Sequence, residues 1–367
     1  MDAFFIISTL IKIVVITFLL LLPMIAYSVY AERRVSAIIQ DRVGPNRVGF
    51  QGLLQPIADG IKFLLKEEFT PGHVRKGFFI LAPILTMAPA LITVAVIPFG
   101  SDIILNTGRT LALSIAQVEI GPLFIFAIAS ISVYGIAIAG WASNSKYAYF
   151  GSVRSAAQMI SYEIALGLSI IPVLMLFGSF NLNDMINYQA EHGWLLLPIS
   201  IGHEHGVTKE GLLTWFPMLI AFIIFTVSIF AETNRMPFDL PECETELVGG
   251  YHTEYSSMKF ALFFLGEYAA MIVGSAVIVT IFLGGWSLPF GLSHTEFLSS
   301  GSIWAGLIHI GCFLAKLIGF IVFFIWVRWS IPRFRYDQLM KLGWVVFFEL
   351  ALVNVVITAV ILYFLAR

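Results

Sequence analysis

Glu163, Glu232 and Glu267 each fall inside, or at the closing edge of, a long apolar stretch. A charge at the centre of a membrane span costs about 2.5 to 3.5 kcal/mol on insertion scales, so carboxylates kept there usually have work to do. Burial raises a carboxyl pKa by up to about 3 to 5 units, and a group brought near neutrality can both take up and release a proton. The three glutamates are therefore proton-relay candidates; the other reading is that each is a hydrogen-bonding partner within a helix bundle, neutral or paired with Lys or Arg. They lead into a polar segment between two apolar spans that holds Glu232, Asp239, Glu242, Glu244, Glu246 and Glu254 against only Arg235 and Lys259. Arg235, three residues after Glu232, is expected to pair with it. Glu242, Glu244 and Glu246 alternate, and residues two apart on a helix point about 200° apart. Extended or irregular backbone would set all three on one side, and Pro237 and Pro241 favour it. The interleaved Phe238, Leu240, Leu247 and Val248 suggest burial of this loop against a partner.

The elements that must hold these groups are helices in a membrane. Of 367 residues, 59% are hydrophobic and only 12% charged, with a mean hydropathy of +0.90. Runs of roughly 20 apolar residues cross a bilayer as helix. Eight are legible: Ala3 to Tyr30, Gly77 to Phe99, Ile120 to Ala142, Ala156 to Phe177, Leu212 to Phe230, Phe260 to Leu283, Ile303 to Val327 and Leu342 to Leu365. No evenly spaced period-2 strands occur, so the expected fold is all-α, a polytopic membrane helical bundle forming a single domain over residues 1–367. The first span lacks a basic start and a cleavage site and reads as an anchor. Lys and Arg concentrate in the odd-numbered connections, which puts those loops on the cytoplasmic side and both termini on the other. Glu163 then sits about 12 Å along its helix from Ser155, and Glu267 is similarly deep past Lys259.

Between the first two spans, Leu53, Leu54, Ile57, Ile61, Leu64 and Leu65 recur at helical spacing, with Gln55, Asp59, Lys62 and Lys66 mostly opposite. This predicts an amphipathic helix along the interface, either a simple anchor for the loop or one wall of a lateral opening for a lipid-soluble ligand. Cys243 and Cys312 are the only cysteines and are far apart, so they cannot alone build an iron–sulfur cluster or structural zinc site. Neither a Walker A sequence nor a G-x-G-x-x-G turn occurs, and nothing points to a nucleic acid partner. His203-Glu204-His205 has no obvious fourth ligand and is not read as a metal site. Lys316, within the seventh span, is expected to pair with a buried acid.

Several long motifs carry a resemblance: Ala31-Glu32-Arg33-Arg34, Asp41 to Asn46, Gly52 to Lys62, Gly140 to Tyr147, Ser161-Tyr162-Glu163, Ala231 to Arg235, Pro237 to Glu242 and Tyr251 to Tyr255. In this order they resemble the H (ND1-type) membrane subunit of respiratory complex I, the proton-pumping NADH:quinone oxidoreductase. The resemblance implies a subunit contributing the lipid-accessible part of a quinone chamber, with quinone as substrate. It implies no flavin, iron–sulfur cluster or metal on this chain. Glu32, Arg33 and Asp59 match positions near the chamber entrance. Glu163, Glu232 and Glu267 match a chain of buried glutamates toward the pumping modules. Glu242, Glu244, Glu246, Glu254 and Arg235 match a coupling loop against the peripheral arm. Implied partners are the peripheral-arm quinone-site and terminal iron–sulfur subunits, neighbouring membrane subunits, membrane lipid and quinone. The implied location is the bacterial cell inner membrane. The corresponding subunit of a membrane-bound hydrogenase or related dehydrogenase complex stays open as an alternative, as does a stand-alone proton-coupled transporter, although no inverted repeat is evident.

Overall fold

A computed structural model describes residues 3–104, 110–197, 209–240, 248–289, 292, 298 and 301–365. Among the described residues, eight helices are long and apolar enough to cross a membrane. They are α1 (Phe5–Ile39), α3 (Lys76–Val96), α4 (Gly121–Ala142), α5 (Lys146–Phe177), α7 (Lys209–Glu232), α8 (Ser257–Phe282), α9 (Ile303–Ser330) and α10 (Tyr336–Leu365). Two shorter helices, α2 (Gln55–Leu65) and α6 (Leu182–His192), lie in connections. The only sheet among the described residues is a hairpin of β1 (Ile103–Ile104) and β2 (Thr110–Leu111). The fold is the expected all-α membrane bundle.

Helix α8 forms its axis: every residue from Ala276 to Phe282 is buried. Packed around it, α3, α4, α5 and α7 share one apolar core that takes in Met87, Leu166, Phe225 and Ile278. In contrast, α1 and α10 present Leu19, Phe18, Val353 and Phe364 outward, as spans facing hydrocarbon do. Close approach of α5 to the turn at Gly250–His252 depends on Gly151, where an added Cβ would lie 2.7 Å from the Gly250 Cα. Prolines 83 and 89 remain inside α3, and each leaves the carbonyl four residues earlier, Phe79 or Leu85, without its helical N–H donor.

Several helices outrun the apolar stretches that announce them. α1 continues to Ile39 rather than ending at Tyr30, so Glu32 and Arg33 sit on helix and not in a loop. α5 begins at Lys146, ten residues ahead of the expected Ala156, and leaves only a tight turn where a polar loop was expected. α10 likewise starts at Tyr336, not Leu342. Hydropathy marks where lipid ends, whereas a helix stops only where its backbone bonds are replaced. α5 ends at Gly178, which takes a φ of +65° and donates to the Leu174 carbonyl, a standard left-handed glycine stop.

Candidate functional site: a buried ion network beside an interfacial cavity

The arginine at the heart of the site is aimed by the way α7 ends. Asn234 adopts a φ of +50°, its N–H bonds the Ala231 carbonyl at 3.3 Å, and the Arg235 N–H bonds the Phe230 carbonyl at 3.2 Å. This pair of backward bonds around a left-handed residue is a Schellman stop, and Asn is among the few non-glycine residues that tolerate the conformation. The chain reverses there and sends Arg235 inward between α1, α8 and α9.

Arg235 Nη1 lies 2.7 Å from Glu32 Oε2, and its Nε lies 2.6 Å from Glu267 Oε1. The guanidinium also stacks 4.0 Å from the Tyr268 ring centroid. Glu32 accepts a second guanidinium, from Arg328, and the Tyr268 hydroxyl at 2.8 Å. Side-chain exposure is 4% for Arg235 and 8% for Glu32, so both ions have left bulk solvent. Asp239, buried on the following segment, takes Arg333 Nη2 at 3.0 Å and feels Arg328 and Arg235 nearby. Burial raises the Asp239 pKa above the usual carboxylate range, and Arg333 only partly opposes it. For Arg235 burial works against the charge, but Glu267, Tyr268 and Glu32 override it and raise its pKa well above normal. Three acids face three guanidinium groups, which leaves the network neutral when all are ionised. Buried pairs of this kind gain little net stability, but losing one partner is expensive.

Against this network opens a cavity of about 530 Å³, within the usual range of roughly 300 to 1,000 Å³ for small-molecule sites. Its floor is Glu32, Tyr268 and Arg328; its walls are α1, α2 and the start of α8, largely apolar through Val29, Phe63, Leu64, Phe260 and Phe264. Arg33 and Asp59 both line it and pair at 2.7 Å. α2 is tied down at its ends: Tyr30 donates to the Gln51 carbonyl at 2.6 Å, and Ser257 Oγ meets the Phe63 and Lys66 carbonyls, both at 2.9 Å. None of its residues is fully buried. Ile57 and Leu65, 56% and 81% exposed, face outward as the amphipathic pattern predicts for a helix at an interface.

The relay candidates divide into two groups. Glu267 belongs to the ion network. Glu163 and Glu232 stand near enough for their charges to interact, and among the described residues neither has an ion-pair partner. Glu232 borders a second, small cavity of about 60 Å³ with Thr86, Thr93, Ser132 and Thr233 on its wall, polar enough and large enough for ordered water.

The structure corrects four expectations. Arg235 pairs with Glu32 and Glu267, not Glu232, because the Schellman stop turns it away from the α7 face that carries Glu232. Lys316 pairs with no acid among the described residues; its Nζ sits on the carbonyls of Leu283, Gly285 and Ser287 at 2.7, 2.8 and 2.6 Å, beyond the C-terminus of α8. Phe238 and Leu240, each 3% exposed, are buried by this chain itself. Phe238 packs on Tyr162 and Phe334, which leaves neither free for a partner. Finally, Glu163 lies 17 residues past the start of α5 at Lys146 rather than the seven that a start at Ala156 implies. Glu254 lies 3.8 Å from the half-exposed His73, apart from the network. Glu242, Glu244 and Glu246, with Cys243 and His203 to His205, lie outside the described residues. Arg328, Tyr268 and Arg333 escape sequence reasoning as functional residues, and Asp239 stands out there only as one acid of the polar segment; an arginine closing the seventh span is the one available signal.

Comparison with known proteins gives the same direction from sequence over nearly the whole chain. The family model described as NADH dehydrogenase matches residues 11–359. The chain is 49% identical over 358 residues to the NADH-quinone oxidoreductase H subunit of Rickettsia prowazekii, covering 96% of this chain and 93% of the relative. It is 48% identical over 351 residues to the first NADH-quinone oxidoreductase H subunit of Geobacter metallireducens, 95% of each. It is 45% identical over 362 residues to the H subunit of Flavobacterium psychrophilum, 99% of each. The chain belongs to the NADH dehydrogenase family, as an H-type subunit of the kind found in the membrane part of respiratory complex I.

Proposed function

We propose that the chain supplies the lipid-accessible part of the quinone chamber of an NADH:quinone oxidoreductase and couples quinone reduction to proton translocation. The observation that carries this reading is the cavity of about 530 Å³, apolar on its walls and charged on its floor. An isoprenoid chain suits the aromatic and aliphatic walls, and a quinone headgroup, which gains two electrons and two protons on reduction, suits a floor of carboxylate, phenol and guanidinium. Electrons come from partner subunits. Glu32, Arg33, Asp59 and Arg235 act here on the quinone side. α2, exposed along its outer face, is the wall facing lipid.

Glu163, Glu232 and Glu267 carry the proton side, with Glu267 sensing charge at the chamber and Glu232 and Glu163 passing protons onward. The loop with Glu242, Glu244, Glu246 and Glu254 meets the peripheral-arm subunits, and neighbouring membrane subunits cover parts of α1 and α10. The lysine and arginine distribution supports a cytoplasmic position for this loop, with both termini periplasmic in a bacterial inner membrane.

A photoreactive quinone analogue tests the chamber. Labelling of Met258, Phe63 or Phe264 in the intact complex, suppressed by excess quinone, is expected; labelling that quinone does not suppress would overturn the reading. For the proton side, Glu232→Gln removes a titratable group at constant size. Unchanged quinone reduction and unchanged pumping in that variant would remove Glu232 from the relay.

A further inference from the structure

Arg235 reaches the network only if the short segment after α7 holds its shape, and that segment is clamped by one fully buried side chain. Gln158, on α5, donates from Nε2 to the Ala231 carbonyl at 2.8 Å and to the Phe238 carbonyl at 2.8 Å. Asn234 Oδ1 lies 3.3 Å from the same nitrogen. Carbonyls only accept, so these contacts fix which end of the amide is nitrogen. The two carbonyls are the two ends of the reversal that carries Asn234 and Arg235. Ser155, one turn earlier on α5, adds a bond from its hydroxyl to Asn234 Oδ1 at 3.2 Å. The other amide atom, Gln158 Oε1, is buried with no hydrogen-bond partner. A buried amide left half unsatisfied costs stability, so its place here suits a role in geometry better than one in stability.

We propose that Gln158 is a positioning residue for the quinone-coupled reaction: it sets the angle at which Arg235 enters the Glu32–Glu267 network, and it ties that arginine to the helix that bears Glu163. The proposal rests on the reading of the network given above. Gln158 does not line the chamber and acts only through the backbone and Asn234 side chain of residues 231–238.

A double-mutant cycle in the intact, membrane-embedded complex tests it. Gln158→Met keeps the volume and removes both donors; it is expected to slow NADH:quinone reduction about tenfold. NADH oxidation by a small hydrophilic acceptor, which needs no membrane chamber, should stay unchanged and reports assembly. Arg235→Lys should cost a similar factor with measurable residual activity. If Gln158 acts through Arg235, the double variant should also be slowed about tenfold, not about a hundredfold. Gln189→Met is the control, because Gln189 bonds the Thr280 and Ile281 carbonyls in the same buried manner at the other end of the bundle. Its effect should multiply with Arg235→Lys.

Gln158→Glu adds a second readout. A carboxyl can donate one hydrogen bond only when protonated, so its quinone reductase rate should fall as pH rises, whereas the Gln158→Met rate should follow the parent profile. Multiplicative loss with Arg235→Lys, matching the Gln189 control, would reduce Gln158 to packing and overturn the proposal. Full quinone activity in both Arg235→Lys and Arg235→Met would overturn the reading of the network itself, and the positioning role with it.

Discussion

Replacing Arg235 by Met is the sharpest test of the ion network. Arg235 is the only cation among the described residues that reaches both Glu32 and Glu267, at 2.7 and 2.6 Å. Glu32 keeps Arg328 and the Tyr268 hydroxyl after the substitution. Glu267, whose side chain is 12% exposed, keeps no ion-pair partner among the described residues, only the more distant charge of Arg328. Breaking a buried pair by deleting one member costs about 3 to 5 kcal/mol, most of it the penalty of the charge left behind. Arg235 also stacks on Tyr268 at 4.0 Å, worth about 1 kcal/mol or more where water is excluded. The single variant should therefore lose roughly 4 to 6 kcal/mol, a fall of about 8 to 24 °C if 2 to 4 °C accompany each kcal/mol.

The discriminating step is Arg235→Met with Glu267→Met. Removing the stranded acid restores charge balance and lets two apolar side chains pack where the pair stood, so the double variant should recover at least half of the loss. Thermal inactivation of the solubilised complex, followed by retention of subunit association, reads both. If Glu267→Met deepens the defect of Arg235→Met instead of relieving it, the pair is not coupled as the geometry requires and the network description fails.

Other consequences follow from particular positions. Gly60 lines the chamber and a Cβ built there meets nothing within 4 Å; Gly60→Phe should leave assembly intact and raise the KM for quinone several-fold while kcat changes little. Lys316→Met strips the donor from three carbonyls at 2.6 to 2.8 Å and should cost about 3 kcal/mol in thermal stability without altering quinone KM. Burial lowers the His252 pKa to about 4, so the folded protein holds this ring neutral while an unfolded segment begins to protonate near pH 6.5. Stability is therefore complete above that pH and declines as pH falls through the window toward 4, by up to about 3 kcal/mol. Hydrogen exchange at Gly250–His252, corrected for intrinsic rate, should accelerate from pH 7 to pH 5, and His252→Phe should abolish the pH dependence.

Features that depend on local pattern are legible without the structure. The period of Leu53, Ile57, Ile61 and Leu64 suffices to predict α2, because an amphipathic stripe is a property of neighbours in sequence. The same holds for Glu163, Glu232 and Glu267 as acids in apolar surroundings. Proximity along the chain points Arg235 at Glu232, whereas its contacts with Glu32 span 203 positions. The Schellman stop is hidden because Asn234 is a less usual occupant of a left-handed position than glycine. Arg328 meets Glu32 across 296 positions, and no periodicity encodes such a contact. The extra turns of α1 and α5 escape for a different reason: polar helix beyond the hydrocarbon looks like loop to any measure of hydropathy.

The Schellman stop also bears on how chamber and relay can communicate in the proposed function. Glu232 is the last residue of α7 and Arg235 follows three residues later, inside the cap formed by two backward backbone bonds. Glu32 forms part of the cavity floor and holds Arg235 directly. A change of charge on the floor therefore pulls on Arg235, and Arg235 is part of the cap that ends the helix bearing Glu232. Glu232 faces the small cavity shared with Thr86 and Ser132, where a shift of the last helical turn changes both its distance from Glu163 and its access to water. Coupling by this route needs no chain of touching carboxylates. It needs a two-state cap whose equilibrium the floor charge biases, and that is a physical link rather than a line of residues drawn between two sites.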